Sequence, residues 1–151
     1  AYLINLLPIF APSTSNASIL GFLNIMSKQI IHTDDAPAAV GTYSQAVKVG
    51  DTVYISGQLG LDPKTMTLKE GFKAQAEQAM DNLQAIAKAA GGSLSDVVKF
   101  NVSLTDLSDF ATLNEVFDAC LNAPYPARAA VQVAALPKGG VVEIEAILHL
   151  S

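Results

Sequence analysis

Two amphipathic helical segments, set between strand-like runs, most constrain the fold of this 151-residue chain. Apolar residues recur at alternating spacings of four and three across residues 70–90, which predicts a helix, and Gly91 with Gly92 predicts its end. A second apolar stripe follows Ser108, a predicted N-cap, and Pro124 prevents that helix from continuing. Two helices cover only one face of a sheet, so the opposite face needs another partner.

The strand-like runs are short and separated by turn residues. The clearest pair is joined by Gly50 and Asp51, which predicts a hairpin with a two-residue turn, and Gly57 is predicted to end its second strand. Later runs alternate apolar and polar side chains, as half-buried strands do. The predicted strands occupy residues 28–33, 47–49, 53–56, 97–104, 128–133 and 141–150.

This order of elements predicts one α+β domain, with a six-stranded mixed sheet and two helices packed on one face. The uncovered face is expected to carry polar side chains such as Asn101, Ser103 and Gln132. A face of that composition suits a subunit interface better than open water, so we expect a homo-oligomer.

Composition narrows the functional classes. Half of the residues are hydrophobic and 15% are charged, which is typical of a globular protein. The net charge of -5 argues against a nucleic-acid-binding surface, which is usually basic. Cys120, the single cysteine and an expected buried small hydrophobe, cannot form an internal disulfide, and with two histidines it predicts no metal site. A reducing, cytoplasmic location fits this composition.

Residues 1–25 differ from the rest of the chain because they are mostly apolar and carry no charged side chain. A signal peptide needs a positive start, and Pro8 and Pro12 interrupt any apolar run long enough to span a membrane. We interpret this segment as an appended or upstream-translated extension, with the native start at Met26 and one domain over residues 26–151. No membrane association is expected.

Arg128 is the only arginine in the sequence. Its planar guanidinium can hold a carboxylate with two parallel hydrogen bonds, which a lysine cannot reproduce. On the predicted strand Arg128 shares a face with Ala130 and Gln132, and its small neighbours leave room for a small anion. The alternative, a surface arginine in a weak ion pair, stays open on the sequence alone.

Four separated motifs occur together in the order and spacing of one family. They are GTYSQA at 41–46, VYISGQ at 53–58, PARAA at 126–130 with LPK at 136–138, and EIEA at 143–146. Across residues 26–150 the chain resembles the reactive intermediate deaminases of the RidA/YjgF type. The resemblance implies a chorismate-mutase-like fold, a homotrimer, and clefts between subunits that hydrolyse reactive imino and enamino acids to 2-oxo acids and ammonia. It implies no cofactor.

The resemblance also implies roles for individual residues. Arg128 matches the arginine that holds the substrate carboxylate, and Glu143 matches the acidic residue associated with the hydrolytic water. Tyr43, Ser56 and Asn114 match residues around the same pocket. On the residues alone, each of these also has a structural explanation. Tyr43 can be a loop aromatic packed on the core, Ser56 a strand end and Asn114 part of a solvated helix face. Glu143 can be an exposed strand glutamate.

Two further positions belong to the predicted substrate-binding set. Gly57 lets a ligand approach the backbone and its N–H groups. Ala130 stands where the family has a cysteine, which could alter substrate preference, and Thr42 stands where many relatives have proline. Two other functions remain possible: a noncatalytic trimer that binds small carboxylates or partner proteins, and, with less support from the acidic charge, a translation inhibitor or endoribonuclease acting on RNA.

Overall fold

The structure, a computed structural model, describes residues 27–151. The predicted extension and the proposed start at Met26 therefore lie outside the described residues. Six strands and two helices follow one another in the predicted order β-ββ-α-β-α-β-β. The strands are β1 Gln29–Ile31, β2 Ala46–Val49, β3 Thr52–Leu59, β4 Val97–Leu104, β5 Ala127–Gln132 and β6 Val142–His149, and the helices are α1 Phe72–Ala89 and α2 Phe110–Cys120.

The strands form one mixed sheet in the order β1-β2-β3-β6-β4-β5. All neighbours are antiparallel except β4 and β5, which run parallel. Both helices contribute to a single core against one face of this sheet. The prediction of an α+β domain with a six-stranded mixed sheet and two helices on one face is thus confirmed.

The core explains the alternation seen along the strands. Inward residues of β4 and β6, such as Phe100 and Ile144, are fully buried, whereas their chain neighbours point to the other face. Phe100 meets Phe117 of α2 edge to face, with ring centroids 5.1 Å apart. Burying one such side chain contributes roughly 1.5–3 kcal/mol, so this contact helps fix α2 on the sheet.

The first hairpin forms as predicted but its second strand is longer. Val49 pairs with Thr52 across the two-residue turn, where Gly50 has a φ of 57°. Gly57 was expected to end β3, but the strand continues to Leu59. A β-bulge between Ile55 and Gln58 lets it do so. The bulge adds a residue without breaking the pairing with β6.

The helix boundaries confirm one predicted signal and correct another. Gly91, with a φ of 95°, follows the last turn of α1 as expected. Ser108 is not the cap of α2. A short 3-10 turn precedes that helix, and Asp106 caps it by accepting a hydrogen bond from the backbone N–H of Ser108 at 2.8 Å. The N-cap position of α2 itself is Asp109, whose side chain makes no capping hydrogen bond, so the capping contact belongs to the preceding turn.

The second face of the sheet has no helix from the described residues against it. It carries Asn101 and Ser103, as expected, together with large apolar side chains that are about half exposed, including Tyr54 and Val131. Gln132 was wrongly placed here. It pairs with inward-facing Leu104 and accepts a hydrogen bond from the Leu107 backbone at 2.9 Å, so it lies on the helix side.

Candidate functional site

Arg128 lies on the edge strand β5, with its side chain on the helix side of the sheet. It pairs in register with inward-facing Phe100. Its Nη2 donates a hydrogen bond to Oδ1 of Asn114 at 2.9 Å, and its guanidinium lies 5.4 Å and 5.0 Å from the ring centroids of Phe110 and Phe117. The amide and the rings hold the guanidinium in place, since cations favour aromatic faces.

An open cavity of about 480 Å³ adjoins this guanidinium. Its walls are mostly apolar, and it is lined by Phe100, Asn114, Phe117, Asp118, Leu121, Tyr125, Pro126 and Arg128. A guanidinium has five N–H donors, and the described residues give that of Arg128 one hydrogen bond, to Asn114. The remaining donors are available to an anion in the cavity.

Ala130 lies two residues beyond Arg128 on the same side of β5. It pairs with Val102 and is packed partly against the core. It is not among the residues that line the cavity beside Arg128. Arg128, Asn114 and Ala130 form what we call the arginine half-site.

The other four predicted residues form a second group. Tyr43, Ser56, Gly57 and Glu143 line one cavity of about 590 Å³. Its wall also includes Lys138 and Glu145. These six residues form what we call the glutamate half-site.

Glu143 is the titratable group with the most unusual setting in the glutamate half-site. It projects from β6 on the uncovered face and is half-buried. Burial, and then the nearby charge of Glu145, raises the pKa of Glu143 above its ordinary value. Glu145 itself accepts a hydrogen bond from the Asn101 amide at 2.8 Å. A proton is therefore held more readily at Glu143 than at an ordinary surface glutamate.

Ser56 and Gln45 tie the Tyr43 loop to the sheet. The Ser56 hydroxyl donates to the Ser44 carbonyl at 2.6 Å, and its backbone N–H donates to the Gln45 carbonyl at 3.0 Å. The buried Gln45 amide donates to the carbonyls of Thr33 and Pro37 at 2.9 Å each. Because these bonds fix both ends of the loop, they set where the exposed Tyr43 ring stands.

Lys138 is a cavity residue for which no role was predicted from the sequence, although it belongs to the LPK motif. It follows Pro137 in a turn and has a φ of 57°, which is uncommon for a residue other than glycine. Its signal in the sequence was the Pro-Lys-Gly-Gly run, whose glycines predict a tight loop. The loop brings one positive charge to a cavity that holds two glutamates.

The two half-sites do not meet within one subunit. Arg128 is on the helix side of β5, whereas Glu143 is on the uncovered side of β6, and β4 lies between these strands. The structure thus brings three predicted residues together in one place and four in another. A site that needs both groups requires two copies of the chain.

Residues 27–151 contain no cluster of three or more His, Cys, Asp or Glu side chains that could hold a metal ion, and no helix among them is long and apolar enough to cross a membrane. Cys120 was expected to be buried but is exposed at the end of α2. Partial burial, then the charges of Asp81 and Glu77, raises the pKa of its thiol, which disfavours the reactive thiolate.

The comparisons with known proteins agree with this fold. Residues 33–150 match the family described as Endoribonuclease L-PSP. The chain is 53% identical over 126 residues to 2-iminobutanoate/2-iminopropanoate deaminase of Bos taurus, covering 83% of this chain and 92% of that protein.

Two solved structures are similar as well. RidA from the Antarctic bacterium Psychrobacter sp. PAMC 21119 is 80% identical, with a TM-score of 0.80 over 81% of this chain and 99% of that one. Escherichia coli TdcF with bound serine is 46% identical, with a TM-score of 0.77 over 82% and 99% of the two chains. The chain belongs to the Endoribonuclease L-PSP family of RidA/YjgF proteins, which confirms the resemblance drawn from its motifs.

Proposed function

We propose that the protein hydrolyses reactive 2-imino acids and their enamine tautomers, such as 2-iminobutanoate and 2-aminoacrylate, to 2-oxo acids and ammonia. The observation that carries this proposal is that Arg128 and Glu143 line two separate cavities. The only arginine lines one, together with Asp118, and Glu143 with Glu145 lines the other, together with Lys138. A protonated 2-imino acid carries a carboxylate and a cationic C=N group, so it matches both.

The proposed site is shared between subunits of a homotrimer. The uncovered sheet face carries Glu143 and half-exposed apolar side chains, which favours docking of a second copy there. A neighbour seated on this face would bring its arginine half-site toward the glutamate half-site. The substrate would then lie between two subunits, as the resemblance implies.

Arg128 would hold the substrate carboxylate through N–H donors not used by Asn114. This fixes the C=N carbon relative to Glu143, and for an already electrophilic carbon such positioning supplies much of the rate enhancement. Phe110 and Phe117 limit the freedom of the guanidinium, so the anchor is formed before the substrate arrives.

Glu143 would handle the protons. As a water oxygen forms a bond to C2, the C=N π electrons move to nitrogen and Glu143 accepts a proton from the water. Glu143 then returns that proton to the nitrogen, the C–N bond breaks with its electron pair leaving on the ammonia, and the hydroxyl passes its proton through Glu143 to that ammonia, which leaves a 2-oxo acid and an ionised Glu143. One water is consumed and one ammonia is released. The pKa of Glu143 is raised above that of an ordinary glutamate, so its carboxyl group both accepts and returns a proton more readily near neutral pH.

Two other functions explain the two cavities less well. A trimer that only binds small carboxylates would use the arginine half-site without needing Glu143. RNA cleavage, which the family description suggests, has less physical support because the chain has a net charge of -5 and one arginine. Neither explains why two glutamates line the second cavity.

The test is ammonia release from a 2-imino acid generated in the assay by an amino-acid dehydratase. We expect the wild-type protein to accelerate release well beyond spontaneous hydrolysis, and Arg128→Ala to remove most of that acceleration. If ammonia release by the wild-type protein is no faster than spontaneous hydrolysis while a 2-oxo acid still binds, the enzyme proposal is wrong and the protein is a binder of small carboxylates. A parallel incubation with single-stranded RNA tests the third function, since cleavage at matched purity would support it instead.

A further inference from the structure

Gly57 and Glu143 are in unusually close contact across the β3–β6 pair. A β-carbon built at Gly57 would lie 2.7 Å from both Cδ and Oε1 of Glu143, and 3.0 Å from its Cγ. Separations below 3.0 Å are essentially never seen for real β-carbons. The Glu143 carboxyl therefore occupies the space that any side chain at residue 57 would need.

The β-bulge explains how this contact arises. The regular pairing stops after Ile55 opposite Ala146 and resumes with Gln58 opposite Ile144, so Ser56 and Gly57 together face Glu145. An inserted residue of this kind bends a strand and re-aims its neighbours. The bulge places the bare Cα of Gly57 beneath the neighbouring Glu143 side chain.

From this contact we infer that Gly57 is a positioning residue, which seats the Glu143 carboxyl in the glutamate half-site by having no side chain. The inference rests on the proposed function, because it gives Gly57 a role in the proton transfers assigned to Glu143. It differs from the role expected from the sequence, in which the open backbone of Gly57 receives the ligand. The Glu143 carboxyl lies where a side chain at residue 57 would be.

Seating the carboxyl against the strand has a chemical consequence. It keeps Glu143 half-buried rather than extended into water, and burial is the main cause of its raised pKa. The ionisable groups around it are Glu145 on the same strand, with Tyr43 and Lys138 from the two loops that line the cavity. If the carboxyl moved outward, its pKa would fall toward that of an ordinary glutamate.

Alanine at residue 57 is a suitable probe of this seat. Gly57 does not have a positive φ, so alanine can adopt its backbone conformation without strain. The atoms that the methyl group meets belong to the far end of a flexible side chain, which can rotate away. Gly57→Ala should therefore displace the Glu143 carboxyl while the fold is retained.

The activity test is a double-mutant cycle on the assembled protein. We expect Gly57→Ala to lower kcat on the order of 10- to 100-fold, with a smaller change in KM, and to cause no further loss in a Glu143→Gln background. Gly92→Ala is the matched control, because its methyl would meet Cδ2 of Leu150 at 2.5 Å and the Asp96 carboxylate at 2.7 Å, both ends of flexible side chains, at a site that lines neither cavity. An equal loss from Gly57→Ala in both backgrounds would overturn the inference and favour direct ligand contact.

A second measurement does not depend on catalysis. A ¹³C NMR titration of the Glu143 carboxyl should show its pKa falling in Gly57→Ala and staying the same in Gly92→Ala. An unchanged titration in Gly57→Ala would refute the seat even if the protein is a deaminase, whereas a shifted titration in a protein without deaminase activity would refute only the proposed function. If Gly57→Ala does not fold, adding Glu143→Ala should restore folding by making room, and failure of that rescue would contradict the steric argument.

Discussion

Arg128 and Glu143 lie on opposite faces of the same sheet, on strands that flank β4 from either side. Arg128 pairs with inward-facing Phe100, and Glu143 pairs with outward-facing Ser103. No side-chain rotation can carry either group through the packed sheet between them. If both act on one substrate, they must come from different subunits.

This separation predicts that two nearly inactive variants complement one another. Arg128→Ala lacks the anchor and Glu143→Gln lacks the proton acceptor, and each should keep only a small residual activity alone. Unfolding and refolding an equal mixture should restore about a quarter of wild-type activity, because random assembly gives each shared site an intact residue from both neighbours about one time in four. Ammonia release by the reassembled mixture checks this.

The control for complementation is a mixture of the two variants that have been folded separately and kept from exchanging subunits. It should keep only that residual activity. Activity that does not recover after joint refolding would place both residues in one subunit's site or remove one of them from catalysis. A monomer in sedimentation experiments would contradict the shared site directly.

The planar fork of Arg128 is expected to matter beyond its charge. Arg128→Lys keeps the positive charge but loses the geometry in which one nitrogen donates to Asn114 while paired donors remain for a carboxylate. Losing one charged hydrogen bond should reduce kcat/KM by roughly tenfold to a hundredfold. Steady-state kinetics with a freshly generated imino acid measures this, with Lys73→Arg on α1 as a control that should change little. Near-normal activity of Arg128→Lys would show that the arginine is not the anchor.

Residues 1–25 are expected to be dispensable. Every motif and both half-sites lie after Met26, and the family match begins at residue 33. Deleting this segment should leave the melting temperature, the oligomeric state and the rate of ammonia release unchanged. Light scattering together with the activity assay tests this, and a smaller oligomer in the shortened protein than in the full chain would mean that the segment supports assembly.

The sequence predicted the fold well because the decisive signals were local. The hairpin around Gly50 and the helix end at Gly91 depend on neighbouring residues, and both formed as expected. Gln132 and Cys120 were misplaced because their surroundings depend on elements far along the chain. The alternation along β5 does not say which of its two faces meets the helices. That face becomes known only from the register of the parallel pairing between β4 and β5.

The candidate site was predicted as a set of residues but not as an arrangement. The motifs contain six of the seven candidate residues, all except Asn114, yet nothing in their spacing indicates that Arg128 and Glu143 point to opposite sides of the sheet. The bulge at Gly57 was also missed, because an extra residue in one strand shows only when its partner is known. The contact between Gly57 and Glu143 follows from that bulge.

The raised pKa of Glu143 predicts how stability depends on pH. A carboxyl whose pKa is higher in the folded than in the unfolded protein favours folding below the unfolded pKa, and that benefit is lost as the pH rises through the folded pKa. At neutral pH the ionised, half-buried Glu143 therefore costs stability. Glu143→Gln removes this cost, although it should remove most of the turnover too.

We expect Glu143→Gln to melt roughly 1–3 °C above the wild type at pH 7–8, since a partly exposed carboxyl contributes well under about 1 kcal/mol. The difference should shrink as the pH falls toward 4, where wild-type Glu143 becomes protonated. Calorimetry across this range measures it, and Glu115→Gln, which alters an exposed glutamate near Lys73, should show no such gain. The opposite result would be a Glu143→Gln variant whose melting temperature, relative to the wild type, is lower at pH 8 than at pH 4. It would mean that the cavity stabilises the ionised carboxylate, and Glu143 would then be a poor candidate for proton transfer.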